Sequence, residues 1–349
     1  MKKVLCFAAA AMAIFASCQK TEVVYSNDGP QEIALFAVNK TATKTPVDGG
    51  SFSSNDNMAV AAYIVEGTTP ANFFGYTLFE NNGTNWSGTP ARYWPLTTSK
   101  INFLAVTKTG GGKDNTTVDF DETAYASKAT VKLSNNNDFN QNDLMFAAGT
   151  GIHTQGVAYD VVPMVFKHAL AWINFQVKTA TPSYSSSTNK GCSIKVNSIT
   201  LHNAAFNGTL TLENNQYSST DENSTSAISA SWASTENASL AVPKADGQTS
   251  ADGVVLTSEF QKFGNGLLVI PDHYATSFTI NYTLTQSDNT ANTFNYTYTL
   301  PTGEGYSWEM AKKYFYNITI SLSEIQISPS VTDWDASHAT VNQGADLNK

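Results

Sequence analysis

The chain is short of cysteine, of arginine, of charge in general and of helical periodicity. Its 349 residues contain 3 Cys, at positions 6, 18 and 192. That is too few for the disulfide framework of a small exported domain or for a cysteine-rich metal site. Arg92 is the sole arginine, and charged residues are only 14% of the chain. Asp+Glu number 29 against 20 Lys+Arg, a net charge of −9. No basic stripe is available, so a nucleic-acid partner is not expected. The five histidines, His153, His168, His202, His273 and His338, stand far apart in sequence, and for each a structural role outweighs metal ligation. HExxH, HxH and GxSxG are all absent, and no nucleophile has a base beside it in sequence. "TGGG" (109–112) lacks the GKS/T ending of a phosphate loop. "NNNDFNQND" (135–143) has a calcium-loop flavour but lacks the Gly and closing Glu of an EF-hand. The expectation is a protein with no catalytic residues, no cofactor and no metal.

A long hydrophobic run is also missing. The longest, Val4–Ala16, falls short of the roughly 20 residues that a membrane-spanning helix needs. It follows Lys2 and Lys3 and ends in small residues before Cys18, in "CFAAAAMAIFASCQK" (6–20). This is the layout of a secretory leader. Ala16-Ser17-Cys18 sharpens it, because small residues directly before a Cys resemble a bacterial lipobox; an ordinary signal peptide is the alternative. On the lipobox reading, residues 1–17 are removed and Cys18 carries lipid that holds the protein to the outer membrane. Cys192 is then the one remaining thiol, read as a small packed residue rather than a nucleophile. The mature net charge becomes 18 − 29 = −11.

What the chain has in abundance is period-2 alternation. "INFLAV" (101–106), "HALAWINFQVK" (168–178), "FTINYTL" (278–284), "FNYTYTL" (294–300) and "YFYNITISL" (314–322) read as half-buried strands of antiparallel sheets. Ala171, Ile173, Phe175 and Val177 share one face; Tyr314, Tyr316, Ile318, Ile320 and Leu322 share another. Gly-, Asn-, Asp- and Ser-rich turns separate the strands. "SWEMAKKY" (307–314) is the one short helical candidate. The fold class is therefore all-β, and the length suits two sandwiches of about 150 residues each. The polar stretch 179–191 is the best boundary. This gives a leader (1–17), an N-terminal segment (18–50), one sandwich (51–180) and a second with a C-terminal tail (181–349). The six tryptophans either line a sugar-binding surface or pack in the cores.

Five blocks together resemble the fimbrillin (FimA/Mfa-like) family of pilus subunits from Gram-negative anaerobes. They are "ARYWPLTTSKINFLAV" (91–106), "NDLMFAAG" (142–149), "VPMVFKHALAWINFQVK" (162–178), "LLVIPDHYATSFTINYTL" (267–284) and "SWEMAKKYFYNITISLSEIQISPSVTDW" (307–334). The resemblance implies two transthyretin-like sandwiches in series. It also implies assembly by strand donation: a surface protease removes the first strand, and a strand from another subunit fills the groove. "EIALFAV" (32–38) is the candidate leaving strand, with Ile33, Leu35 and Ala37 on one face and Ala34, Phe36 and Val38 on the other. Apolar residues on both faces suit a strand inserted between two others. The alternative is a first strand that never leaves. Studied members are cut after Arg; here the segment after the strand, "NKTATKTPVDGG" (39–50), offers Lys40 and Lys44, the latter before Thr45. At the other end, "EIQIS" (324–328) and "SVTDW" (330–334) either donate to a neighbour or fold back. The expected partners are other fimbrial subunits, the outer membrane through lipid at Cys18, and a ligand on a host or bacterial surface. The rival reading is a monomeric outer-membrane lipoprotein that binds glycans.

Overall fold

A computed structural model describes residues 30–38, 52, 56–66, 69–82, 85–96, 99–109, 115–121, 127–153, 161–180, 192–214, 228–244, 250–271, 275–286, 288–301, 307–322 and 324–334. Among them there is no helix. The strands are β1 (Ala34–Val38), β2 (Asp56–Glu66), β3 (Thr69–Asn81), β4 (Trp86–Thr89), β5 (Ser99–Thr109), β6 (Thr116–Phe120), β7 (Ser127–Leu133), β8 (Met145–His153), β9 (Val162–Val165) and β10 (Lys167–His168). They continue as β11 (Ala171–Thr179), β12 (Cys192–Asn214), β13 (Ile228–Ala241), β14 (Val254–Val255), β15 (Gln261–Val269), β16 (Ser277–Gln286), β17 (Ala291–Thr299), β18 (Lys312–Ile320) and β19 (Ile325–Asp333).

Three sheets hold these strands. The first has the order β10-β8-β5-β2-β3-β4-β1-β9, the second β15-β11-β18-β19, and the third β17-β16-β12-β7-β6 with β13 and β14 also paired to β12. The first sheet encloses a core of its own, built from residues such as Met58, Val60, Phe79, Ile101, Phe103, Met145, Val162 and Met164. Its other face, with Ala59, Ala61, Leu104, Val106 and Phe146, packs on Val131, Leu133, Leu210 and Leu212 of the third sheet. Between the second sheet and the first half of β12 with β16 lies a further core around Phe175, Phe206, Phe263, Phe278 and Ile318.

This layering explains where the strands differ from the half-buried expectation. Ile101, Phe103, Leu104, Ala105 and Val106 are all fully buried, because β5 has a core on each side. Along β11, Ala171, Ile173, Phe175 and Val177 do share a face, while Trp172 looks into the neighbouring core. Among the described residues two strand pairs are parallel, β11 with β18 and β1 with β9. Tyr316, Ile318 and Ile320 share the core face of β18, but Leu322 lies past its end and is exposed. "SWEMAKKY" forms no helix: Trp308 is buried, Ala311 takes a φ of 55°, and β18 starts at Lys312.

β12 ties the halves together. Its residues 192–202 pair with β16, and its residues 208–214 pair with β7. The boundary expected near residue 180 runs between β11 and β12, and backbone ladders cross it in both directions: β11 pairs with β15 and β18, and β7 with β12.

Candidate functional site

The site begins with five residues. β1 is hydrogen-bonded on both sides, antiparallel to β4 through Ala34↔Ser87 and Leu35↔Trp86, and parallel to β9 from Leu35↔Val162 to Val38↔Val165. Just before it, the Ile33 N–H donates to Arg92 O at 2.7 Å, and the Trp94 N–H donates to Gln31 O at 2.9 Å. The period of two then sorts the side chains. Ile33 and Leu35 are fully buried, Ala37 packs at the margin of the same core, and Phe36 is 46% exposed. Ile33, Leu35 and Ala37 thus share the inner face, as the alternation requires.

The groove that receives them is built from large apolar side chains over glycines. Trp86, Trp94, Val162, Met164 and Phe166 belong to its core. A Cβ on Gly149 would stand 2.5 Å from the Met164 sulfur, and one on Gly151 2.4 Å from the Trp94 ring. β8 therefore needs both glycines for β9 and Trp94 to close over it. Phe52, on the far side of the 39–51 connection, meets Trp86 and Phe166 edge-on at 5.3 and 5.1 Å. Arg92 has a structural place here: its Nε donates to Thr77 Oγ1 at 3.0 Å, and its guanidinium lies 5.1 Å from the centre of the Phe74 ring. The walls of the groove, β4 and β9, were not recognised from sequence, although the alternating "VPMV" carries the strand signal.

Other sequence candidates are placed elsewhere. Cys18, Lys40, Lys44 and Thr45 lie outside the described residues, as do His273 and His338. Cys192 is a free, half-buried thiol opposite Gln286 at the start of β12. His168 is buried, 3.0 Å from Asp143 and stacked at 3.8 Å on Trp334. His202 bonds Ser239 and Thr279. The 135–143 loop turns inward: Asn136, Gln141, Asn142 and Asp143 are buried. Gln141 spans the backbone of Leu268, Nε2 donating to its O at 2.7 Å and Oε1 accepting from its N–H at 2.8 Å. These amides bind protein, and the described residues hold no group of three or more His, Cys, Asp or Glu suited to a metal. Trp86, Trp94, Trp172, Trp308 and Trp334 are all buried, and the half-buried Trp232 donates to Ala169 O. Segments 324–328 and 330–334 fold back, since β19 pairs with β18 along its whole length.

Among the described residues, the site is a sheet wrapped around its own core, with its first strand wedged between β4 and β9. A crystal structure of a fimbrial protein from Bacteroides vulgatus superposes with a TM-score of 0.56 at 16% identity, covering 87% of this chain and 99% of that one. The tip fimbrial protein Mfa3 from Porphyromonas gingivalis, with a C-terminal truncation, gives 0.39 at 9% identity, over 80% of this chain and 94% of that one. The family model described as Fimbrillin-like matches residues 37–334, and the chain belongs to that family. Comparison with curated protein sequences finds no match.

Proposed function

We propose that this chain is an exported structural subunit of a cell-surface fimbria that supports adhesion, with no catalytic role, and that it assembles by exchanging its first strand. The observation that carries the reading is the seat of β1, laddered to β4 and β9 with Ile33 and Leu35 in the core. Loss of such a strand uncovers two edges and two apolar pockets, a state that recruits another extended segment. An incoming strand must present two apolar side chains at a spacing of two residues to fill the Ile33 and Leu35 positions. The leader, residues 1–17, and lipid on Cys18 deliver the subunit to the outer membrane as a lipoprotein, and cleavage after Lys44, with Lys40 as the other candidate, exposes Thr45 and frees β1. In this scheme segments 51–180 and 181–349 form the two sandwiches, with β7 and β11 of the first laddered to strands of the second. Sugar binding on exposed tryptophan finds little support, because Trp86, Trp94, Trp172, Trp308 and Trp334 are buried and Trp232 is half-buried.

The test is mass spectrometry of the N-terminus of the protein in fimbriae sheared from its own cells. An N-terminus at or near Thr45 is expected. Assembled fimbriae in which acylated Cys18 is still joined to residues 32–38 overturn strand exchange at β1, and fimbriae without the protein overturn the subunit role.

A further inference from the structure

β17 is the outer strand of the third sheet, and among the described residues nothing pairs with its free side. The direction of its backbone groups follows from two flanking bonds. The Leu300 N–H donates to Thr276 O, and the Gln286 N–H donates to Thr290 O. In the β16–β17 register, hydrogen-bonded and non-hydrogen-bonded pairs alternate from these ends. Phe294, Tyr296 and Tyr298 therefore turn their backbone groups toward β16. Ala291, Thr293, Asn295, Thr297 and Thr299 turn their N–H and C=O groups outward.

This edge lacks the usual protection. Edge strands are normally shortened, bent, charged or interrupted by proline. β9 has Pro163 and four residues, β10 has two, and β6 has five with Asp119. β19 carries Pro329 and Asp333. β15 carries Lys262 and is bent by Gly264 and Gly266 at φ 62° and 75°. β13 carries Glu236 and a shifted register, and β14 has two residues. β17 runs nine residues with no proline, no charge and no register shift against β16.

The sequence of β17, ANTFNYTYT, is also self-complementary about Asn295. An antiparallel copy centred there sets Asn295 against Asn295, Thr293 against Thr297, and Phe294 against Tyr296. The same residue pairs already stand between β16 and β17. There, Thr279 bonds Thr297 at 3.0 Å, Asn281 bonds Asn295 at 2.7 Å, and Thr283 bonds Thr293 at 2.9 Å. The odd-numbered residues that face outward also fall opposite one another in this register, so the new ladder is continuous.

We propose that β17 is a docking edge for β17 of a second copy of this chain, paired antiparallel about a two-fold axis at Asn295. The interface is isologous and closes as a dimer. A single strand pair is a small contact, so it gains most where many copies are arrayed and neighbouring fibres bind side by side. The contact uses a different edge from the β1 groove, so it stands or falls separately from strand exchange.

Sedimentation of the full chain over a concentration series to about 1 mM tests it. The wild type is expected to show a monomer–dimer equilibrium. Asn295→Lys puts like charges face to face across the axis, which destabilises a cross-strand pair. Thr297→Pro removes an outward N–H that β16 does not use. Each variant is expected to weaken the dimer at least tenfold at an unchanged melting temperature, and an equal mixture of Asn295→Lys and Asn295→Glu chains is expected to restore it. A wild type that stays monomeric throughout overturns the proposal. So does a dimer indifferent to both variants, or a mixture that fails to recover.

Discussion

Leu35→Ala separates a strand that completes the core from one that merely lies on it. Leu35 is fully buried among Trp86, Val162 and Phe166, while its neighbour Phe36 is 46% exposed. Truncating a buried Leu costs about 2–5 kcal/mol, since the lost transfer energy adds to the cavity left behind. Phe36→Ala loses half-exposed area only and should cost under about 1 kcal/mol. Urea unfolding of the intact chain reads both. A second assay reads the hold on the strand itself. Residues 44–47 are replaced by a recognition sequence for a site-specific protease, the chain is cut, and departure of the N-terminal fragment is followed. A difference of about 3 kcal/mol weakens the hold of the Leu35→Ala strand roughly a hundredfold, and Phe36→Ala should change it less than about fivefold. Equal losses for the two variants, or no change for Leu35→Ala, would refute the claim that the inner face of β1 anchors it.

The remaining predictions concern packing, titration and the buried amides. Gly151→Ala forces a Cβ to 2.4 Å from the Trp94 ring and 2.8 Å from Val162, and should lower stability by about 1–3 kcal/mol with a changed near-UV signal from tryptophan. Burial pushes the Tyr316 hydroxyl well above the ordinary tyrosine range. Its contribution is complete below the unfolded pKa near 10 and is lost as pH rises from there toward the folded value, by about 1.4 kcal/mol per pH unit. Tyr316→Phe should remove that alkaline slope, seen as melting temperature against pH, while costing about 1–3 kcal/mol at neutral pH because the buried Trp308 N–H loses its acceptor. Gln141→Ala strands both backbone groups of Leu268. It should cost about 2–4 kcal/mol and speed hydrogen exchange at the Leu268 amide.

By itself the sequence determined the all-β class, the family resemblance and the grouping of Ile33, Leu35 and Ala37 on one face of β1, because alternation and turn chemistry are local properties of the chain. Ile33 and Leu35 could be assigned to one face from spacing alone, whereas the apolar residues of the other face did not foretell burial there, since Phe36 is 46% exposed. Which strands flank β1 was a tertiary matter. β4 and β9 come from residues 86–89 and 162–165, and no local pattern says that Leu35 will lie between Trp86 and Val162. The same holds for "INFLAV", whose alternation predicts one dry face and which has two, because the first sheet packs against the third. The 135–143 loop looked like an ion-binding sequence; long-range packing turned its amides onto Leu268 instead. Only the fold could decide that Arg92 supports Phe74 and Thr77, that segments 324–334 return to β18, and that β17 is left with an open edge. Side-chain period is written residue by residue, whereas burial of a face and pairing of an edge depend on which distant segment arrives there.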